Sequence, residues 1–174
     1  MERGSHRCRS ARFRLALPPT KEVKGVQVLR TIHRFWLTLL SLAIVVQIGA
    51  AGYGAFYAAD KSDPGPMTTK QFDHGFSFHS GLGYFIFLGG VVLFLLALAA
   101  RPGKRVVLMN LAVPLLLIVQ ILLAWAGSGT PAIGVLHPLN AFLILGLVGS
   151  LTHTAWRGAT SRPTASASAA MPGA

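Results

Sequence analysis

Three long stretches of the chain carry no Lys, Arg, Asp or Glu: residues 35–59, 75–100 and 106–156, which are 25, 26 and 51 residues long. The hydrocarbon core of a bilayer is about 30 Å thick, and a helix needs roughly 20 apolar residues to cross it. The first two stretches therefore predict one span each. The third predicts two, because Gly127-Ser128-Gly129-Thr130-Pro131 interrupts it and one helix of that length would overshoot the membrane. Helices are expected because hydrocarbon offers no partner for free backbone N–H and C=O groups. The runs also lack the alternation of a barrel strand. The fold class that follows is all-α, a four-transmembrane-helix bundle with spans at Phe35–Phe56, Phe76–Leu98, Val107–Trp125 and Val135–Ala155.

Charge divides the rest of the chain. Nine basic residues precede the first span: Arg3, Arg7, Arg9, Arg12, Arg14, Lys21, Lys24, Arg30 and Arg34. Arg101, Lys104 and Arg105 join spans two and three, and Arg157 and Arg162 follow span four. The loop between spans one and two has only Lys61 and Lys70, set against Asp60, Asp63 and Asp73. The positive-inside rule then predicts both termini in the cytoplasm and residence in the cell inner (cytoplasmic) membrane. Topology and attraction to anionic headgroups account for the net charge of +11, so nucleic acid is not an expected partner. The basic segment ahead of span one is long and the apolar run exceeds a signal-peptide core, so an uncleaved first span is expected. The organisation is then a basic tail over residues 1–30, a membrane domain over 31–156 and a loose Ala/Ser/Thr/Pro/Gly tail over 157–174. Residues 21–34 within this frame read as an interfacial lead-in. Cys8 is the single cysteine and predicts neither a disulfide nor a thiolate metal site.

The second half of the bundle echoes the first. Val46-Gln47-Ile48 in span one matches Val119-Gln120-Ile121 in span three. His79-Ser-Gly-Leu-Gly-Tyr-Phe-Ile opens span two and His137-Pro-Leu-Asn-Ala-Phe-Leu-Ile opens span four. Aligned on the histidines, Gly83 matches Ala141, Tyr84 matches Phe142 and Ile86 matches Ile144. Two parallel copies of one helical hairpin are expected, related by an axis along the membrane normal. That axis places His79 and His137 at similar depth near the outer surface, able to face each other across the bundle.

A histidine near a membrane helix end can simply meet interfacial water or a carbonyl, and that alternative stands for each one here. His79 has more around it: Gly75, Gly83, Ile86 and Gly90 share its face at helical spacing, so small residues leave room for a flat ring or for close helix packing. His137 precedes Pro138, a first-turn residue, and its face continues through Asn140, Ala141 and Ile144. Two matched histidines suit haem better than zinc, which takes three or four protein ligands, whereas six-coordinate haem iron takes one axial ligand from each side. No Cys-x-x-Cys-His is present, so the expected cofactor is haem b, held without a covalent link. His79 and His137 are the candidate metal ligands. Gly83, Ala141, Gln47 and Gln120 are the candidate cofactor-binding residues, with helix–helix bonding the alternative for both glutamines because a lone amide in lipid needs a partner. His74 lies about 140° round the helix from His79 and reads as a surface or loop group. His33 and His153 read as interfacial anchors. Asn110 reads as an interface polar group, Pro114 as a kink site, and Tyr53, Tyr57, Trp125 and Trp156 as aromatic-belt residues.

No acid lies inside a span, which argues against a proton pump, an ion channel or a cation-driven transporter. No catalytic residues, nucleophile–base pair or phosphate loop can be picked out.

"VVQIGAAGYG", "IVQILLAWAGSG", "FHSGLGYFIFLGG" and "LHPLNAFLILGLVG" resemble helices of the haem A synthase superfamily of membrane cytochromes, over about residues 30–156. The chain is also similar to small four-helix bacterial membrane proteins. The superfamily resemblance implies one haem b, with His79 as second-helix and His137 as fourth-helix ligand. It departs from a full synthase, which has eight helices and a membrane acid near a ligand histidine. It therefore implies haem binding and electron transfer rather than hydroxylation. The expected function is a small b-type cytochrome or haem-binding redox subunit in the bilayer, with a quinone or another membrane redox subunit as partner. The alternative is a cofactor-free structural or assembly subunit.

Overall fold

The computed structural model describes residues 21–63 and 65–160. Residues 1–20 with Cys8, and 161–174 of the loose tail expected over 157–174, lie outside the described residues, whereas residues 157–160 continue the last helix. The architecture is all-α. Helices α1 (Lys21–Lys61), α2 (Thr69–Ala100), α3 (Lys104–Gly129) and α5 (Leu136–Thr160) are the long elements, and α4 (Pro131–Gly134) is a single turn. All four long helices are long and apolar enough to cross a membrane.

The helices overrun the spans read from hydropathy. Residues 21–34 are not a separate surface segment but the start of α1, whose 41 residues would stretch about 60 Å. Hydropathy marks where hydrocarbon begins; a helix rich in Lys, Glu and Gln continues into water without notice. Chemistry of the chain sets the other ends. Thr68 caps α2 in a reciprocal capping box with Gln71. Arg101 takes a left-handed conformation (φ 46°), Pro102 follows, and Gly103 (φ 120°) precedes α3. Arg30 Nε and Nη2 donate to the carbonyls of Ala100 and Arg101 at 3.1 and 3.3 Å, so α1 supplies the C-terminal cap of α2. Thr130-Pro131 ends α3 and starts the one-turn α4, as the Gly/Pro signal predicts.

The four long helices form a closed ring in which α1 and α3 each pack against both α2 and α5. The diagonal pairs, α1 with α3 and α2 with α5, make no close backbone approach. Phe35 stacks edge-on against Trp156 at 5.3 Å, and Trp156 Nε1 donates to Thr38 Oγ1 at 3.0 Å, so the start of α1 meets the end of α5. Both described chain ends therefore sit at one end of the bundle, with Arg101, Lys104 and Arg105. We call this the basic end.

Burial follows the repeat. The register that matches Gln47 with Gln120 also matches buried Leu37 with Asn110, Leu40 with Val113 and Ile44 with Leu117. The register that matches His79 with His137 matches buried Ile86 with Ile144, Gly90 with Val148 and Leu93 with Leu151. Each hairpin thus turns the same positions to the common axis. Phe56, Phe85 and Trp125 are 81%, 73% and 79% exposed and point out of the bundle, where lipid solvates them as well as protein would.

Not every expectation from small residues holds. The glycine face beside His79 is largely filled: the Tyr57 ring lies against Gly75, and Leu117 and Val113 lie against Gly90. Those glycines serve close helix packing. His33, expected at the interface, is buried at 5% exposure; its Nε2 lies 2.9 Å from Asn110 Oδ1, and Asn110 Nδ2 donates to Val106 O at 2.7 Å. Asn110 is therefore not an interface group but the fully satisfied partner of a buried histidine.

Candidate functional site

Toward the end opposite the basic one, the packed core gives way to a cavity of about 260 Å³. Its floor is one buried aliphatic residue from each long helix: Ile44, Ile86, Leu117 and Ile144. Above them lie the polar residues singled out from sequence, again one per helix: Gln47 on α1, His79 on α2, Gln120 on α3 and His137 on α5. Gly83 and Ala141 line the walls as expected, and a Cβ on Gly83 would come 3.1 Å from Gln47 Nε2. Tyr84 and Phe142 also line the cavity while being 62% and 61% exposed, so it reaches the bundle surface.

The two histidines come from diagonally opposed helices and approach each other, with ring centres 6.2 Å apart and planes at 60°. Each is oriented in the same way. His79 Nδ1 lies 3.1 Å from Gln47 O, and His137 Nδ1 lies 3.0 Å from Gln120 O. A carbonyl oxygen only accepts, so Nδ1 carries the proton in both rings. Nε2 is left with its lone pair, and among the described residues it has no hydrogen-bond partner in either ring. An imidazole whose Nδ1–H is anchored on a backbone carbonyl is the usual state of a metal-ligating histidine, with ring orientation fixed and the other nitrogen made more basic.

The spacing can be tested against a shared ion. A metal–imidazole bond is about 2.0–2.1 Å, and Nε2 stands about 1.1 Å from the centre of a five-membered ring whose bonds are about 1.35 Å. Two rings bound to one ion from opposite sides have centres about 6.3 Å apart on those figures. The observed separation of ring centres, 6.2 Å, is close to that figure. The described residues contain no cluster of three or more His, Cys, Asp or Glu, so an ion here would have two protein ligands and needs its other ligands from elsewhere. A tetrapyrrole supplies four. The two nitrogen donors and the apolar floor suit a haem between His79 and His137, for which the cavity of about 260 Å³ would have to widen.

The glutamines are where the two hairpins differ. Gln47 Nε2 donates to His79 O at 2.8 Å, so Gln47 and His79 bond reciprocally through side chain and backbone. Gln47 Oε1 is buried without a partner. In the second hairpin Gln120 Oε1 accepts from Asn140 Nδ2 at 2.8 Å, and Asn140 also donates to Leu116 O at 3.0 Å. The repeat places Leu82 where Asn140 stands, which is why the first glutamine keeps an unused acceptor.

The other histidines stay apart from this cavity. His74 is exposed with its ring 5.5 Å from Tyr57, and His153 is exposed on α5. Sequence reasoning left Ile44 and Leu117 out of the site; extending the Gln47–Gln120 register by one turn would have found them. No family model matches the chain, nor does any curated protein or solved structure.

Proposed function

We propose that the chain is a small membrane b-type cytochrome, or the haem-binding subunit of a membrane redox complex, with His79 and His137 as the axial ligands. One observation carries this reading: two repeat-related imidazoles, each with Nδ1–H anchored on the carbonyl of a matched glutamine, face one cavity at the spacing of two ligands to a single ion. Haem bound there would supply one-electron transfer by cycling its iron between ferric and ferrous states. The chain's own part is ligation and surroundings. The two anchored rings fix ligand direction, Ile44, Ile86, Leu117 and Ile144 exclude water from below, and Gly83 and Ala141 keep the walls clear. The charge asymmetry of the loops supports an inner-membrane setting with both termini in the cytoplasm, which puts the cavity in the outer half of the bilayer. The electron partner in this reading is a quinone or another redox subunit. The same motifs carry the resemblance to the haem A synthase superfamily, and the proposal extends to electron transfer only.

The test is direct. Protein produced with haem supplied and purified in mild detergent is expected to show a sharp reduced-minus-oxidised visible band. His79→Ala and His137→Ala are each expected to abolish it while far-ultraviolet circular dichroism stays helical. A folded, colourless wild-type protein refutes the cytochrome. The structural-subunit reading would then stand, supported by the glycine seats against Tyr57 and Leu117 and by the reciprocal Gln47–His79 bonds.

A further inference from the structure

At the basic end a shallow, open groove runs along the seam of α3 and α5. Its lining on α3 is Lys104, Arg105, Leu108, Met109 and Ala112, and on α5 it is Leu147. The α3 residues form one stripe, about 12 Å long from first to last, that enters the membrane from its surface. The stripe is cationic at the surface and purely apolar below.

The two cations are available. Lys104 and Arg105 are exposed and have no ion pair or hydrogen bond among the described residues. Arg30, by contrast, is committed to the carbonyls of Ala100 and Arg101, and Arg34 lies 4.8 Å over the Trp156 ring. Asp60, Asp63 and Asp73 lie at the opposite end of the bundle, and no acidic residue lines the groove. The groove therefore wants an anion at its mouth and hydrocarbon in its depth. Those two demands come together in one class of molecule that the membrane itself provides. A zwitterionic lipid would meet the cations with no net charge, and a free phosphate would leave the apolar stripe without a partner.

We propose that this groove seats one anionic phospholipid of the leaflet at the basic end. Its phosphate lies between Lys104 and Arg105, and an acyl chain lies over Leu108, Met109, Ala112 and Leu147.

Detergent-purified protein titrated with phosphatidylglycerol, phosphatidylcholine or inorganic phosphate tests it, with native mass spectrometry and thermal unfolding as readouts. One phosphatidylglycerol is expected to be retained per chain at least tenfold more tightly than phosphatidylcholine, with a rise in Tm that phosphate alone does not give. The double variant Lys104→Gln/Arg105→Gln is expected to erase that preference. Ala112→Trp, which fills the groove and leaves both cations, is expected to erase retention. Equal retention of the two lipids, an equal effect of inorganic phosphate, or undiminished retention in the two variants overturns the proposal. The comparison between lipids uses wild-type protein, so it decides even if a variant fails to fold.

Discussion

His79 and His137 each spend one ring nitrogen on a carbonyl, which leaves the other nitrogen of each ring with an unshared lone pair. This much was legible before the structure, because a repeat ties two imidazoles to one depth where a lone histidine would have meant little. The partner carbonyls were not legible, since every helical residue has one and only geometry selects among them. His33 shows the opposite case. A polar residue beside Arg34 at a helix end reads as interfacial, yet its partner stands 77 positions away on α3. Side-chain pairs across a diagonal leave no trace in local pattern. His33→Leu leaves Asn110 Oδ1 orphaned and Asn110→Leu orphans the imidazole, so each is expected to destabilise, and the double variant to cost less than the two added together. Bonds between membrane helices average about 0.6 kcal/mol and reach about 1.7. A coupling of that size in mixed-micelle unfolding is the expected result; a coupling of zero refutes the bond.

Among the elements, span number and hairpin order followed from charge-free length, and the helix ends beyond hydrocarbon did not. Contacts at the hairpin turns show how the copies diverged. The repeat register matches Gly54 with Gly127 and Phe76 with Gly134. A Cβ on Gly54 would meet the Phe76 ring at 2.6 Å, whereas a Cβ on Gly127 would meet Gly134 Cα at 2.7 Å. A ring can swing aside; a backbone moves only with its helix. Gly127→Ala is therefore expected to lose about 1–3 kcal/mol, the usual range for overpacking, and Gly54→Ala clearly less. Gly49→Ala, with open space around it, serves as the reference that should change little. Equal unfolding midpoints for the Gly54 and Gly127 variants would contradict the distinction.

For the whole molecule, four long helices put both described chain ends at one end of the bundle, and the proposal that this basic end is cytoplasmic can be tested by labelling. In a chain with Cys8 replaced by Ser, a cysteine at Ser62 is expected to react with a membrane-impermeant maleimide in intact cells. A cysteine at Arg157 is expected to react only after permeabilisation. The reverse pattern would move the histidine cavity to the cytoplasmic half of the bilayer.

The ring of helices has two diagonals, and each is bridged by histidine in a different way. Between α1 and α3 the His33–Asn110 bond is complete within the protein. Between α2 and α5, whose backbones never come close, the link is a pair of facing imidazoles. A ligand held by both rings, as proposed, would tie α2 to α5 where their backbones stand apart. Loading should therefore slow amide exchange in the first turns beyond His79 and His137 far more than around His33, and raise the unfolding temperature as any ligand of the folded state does. On that proposal, filling the site would also complete the frame of helices.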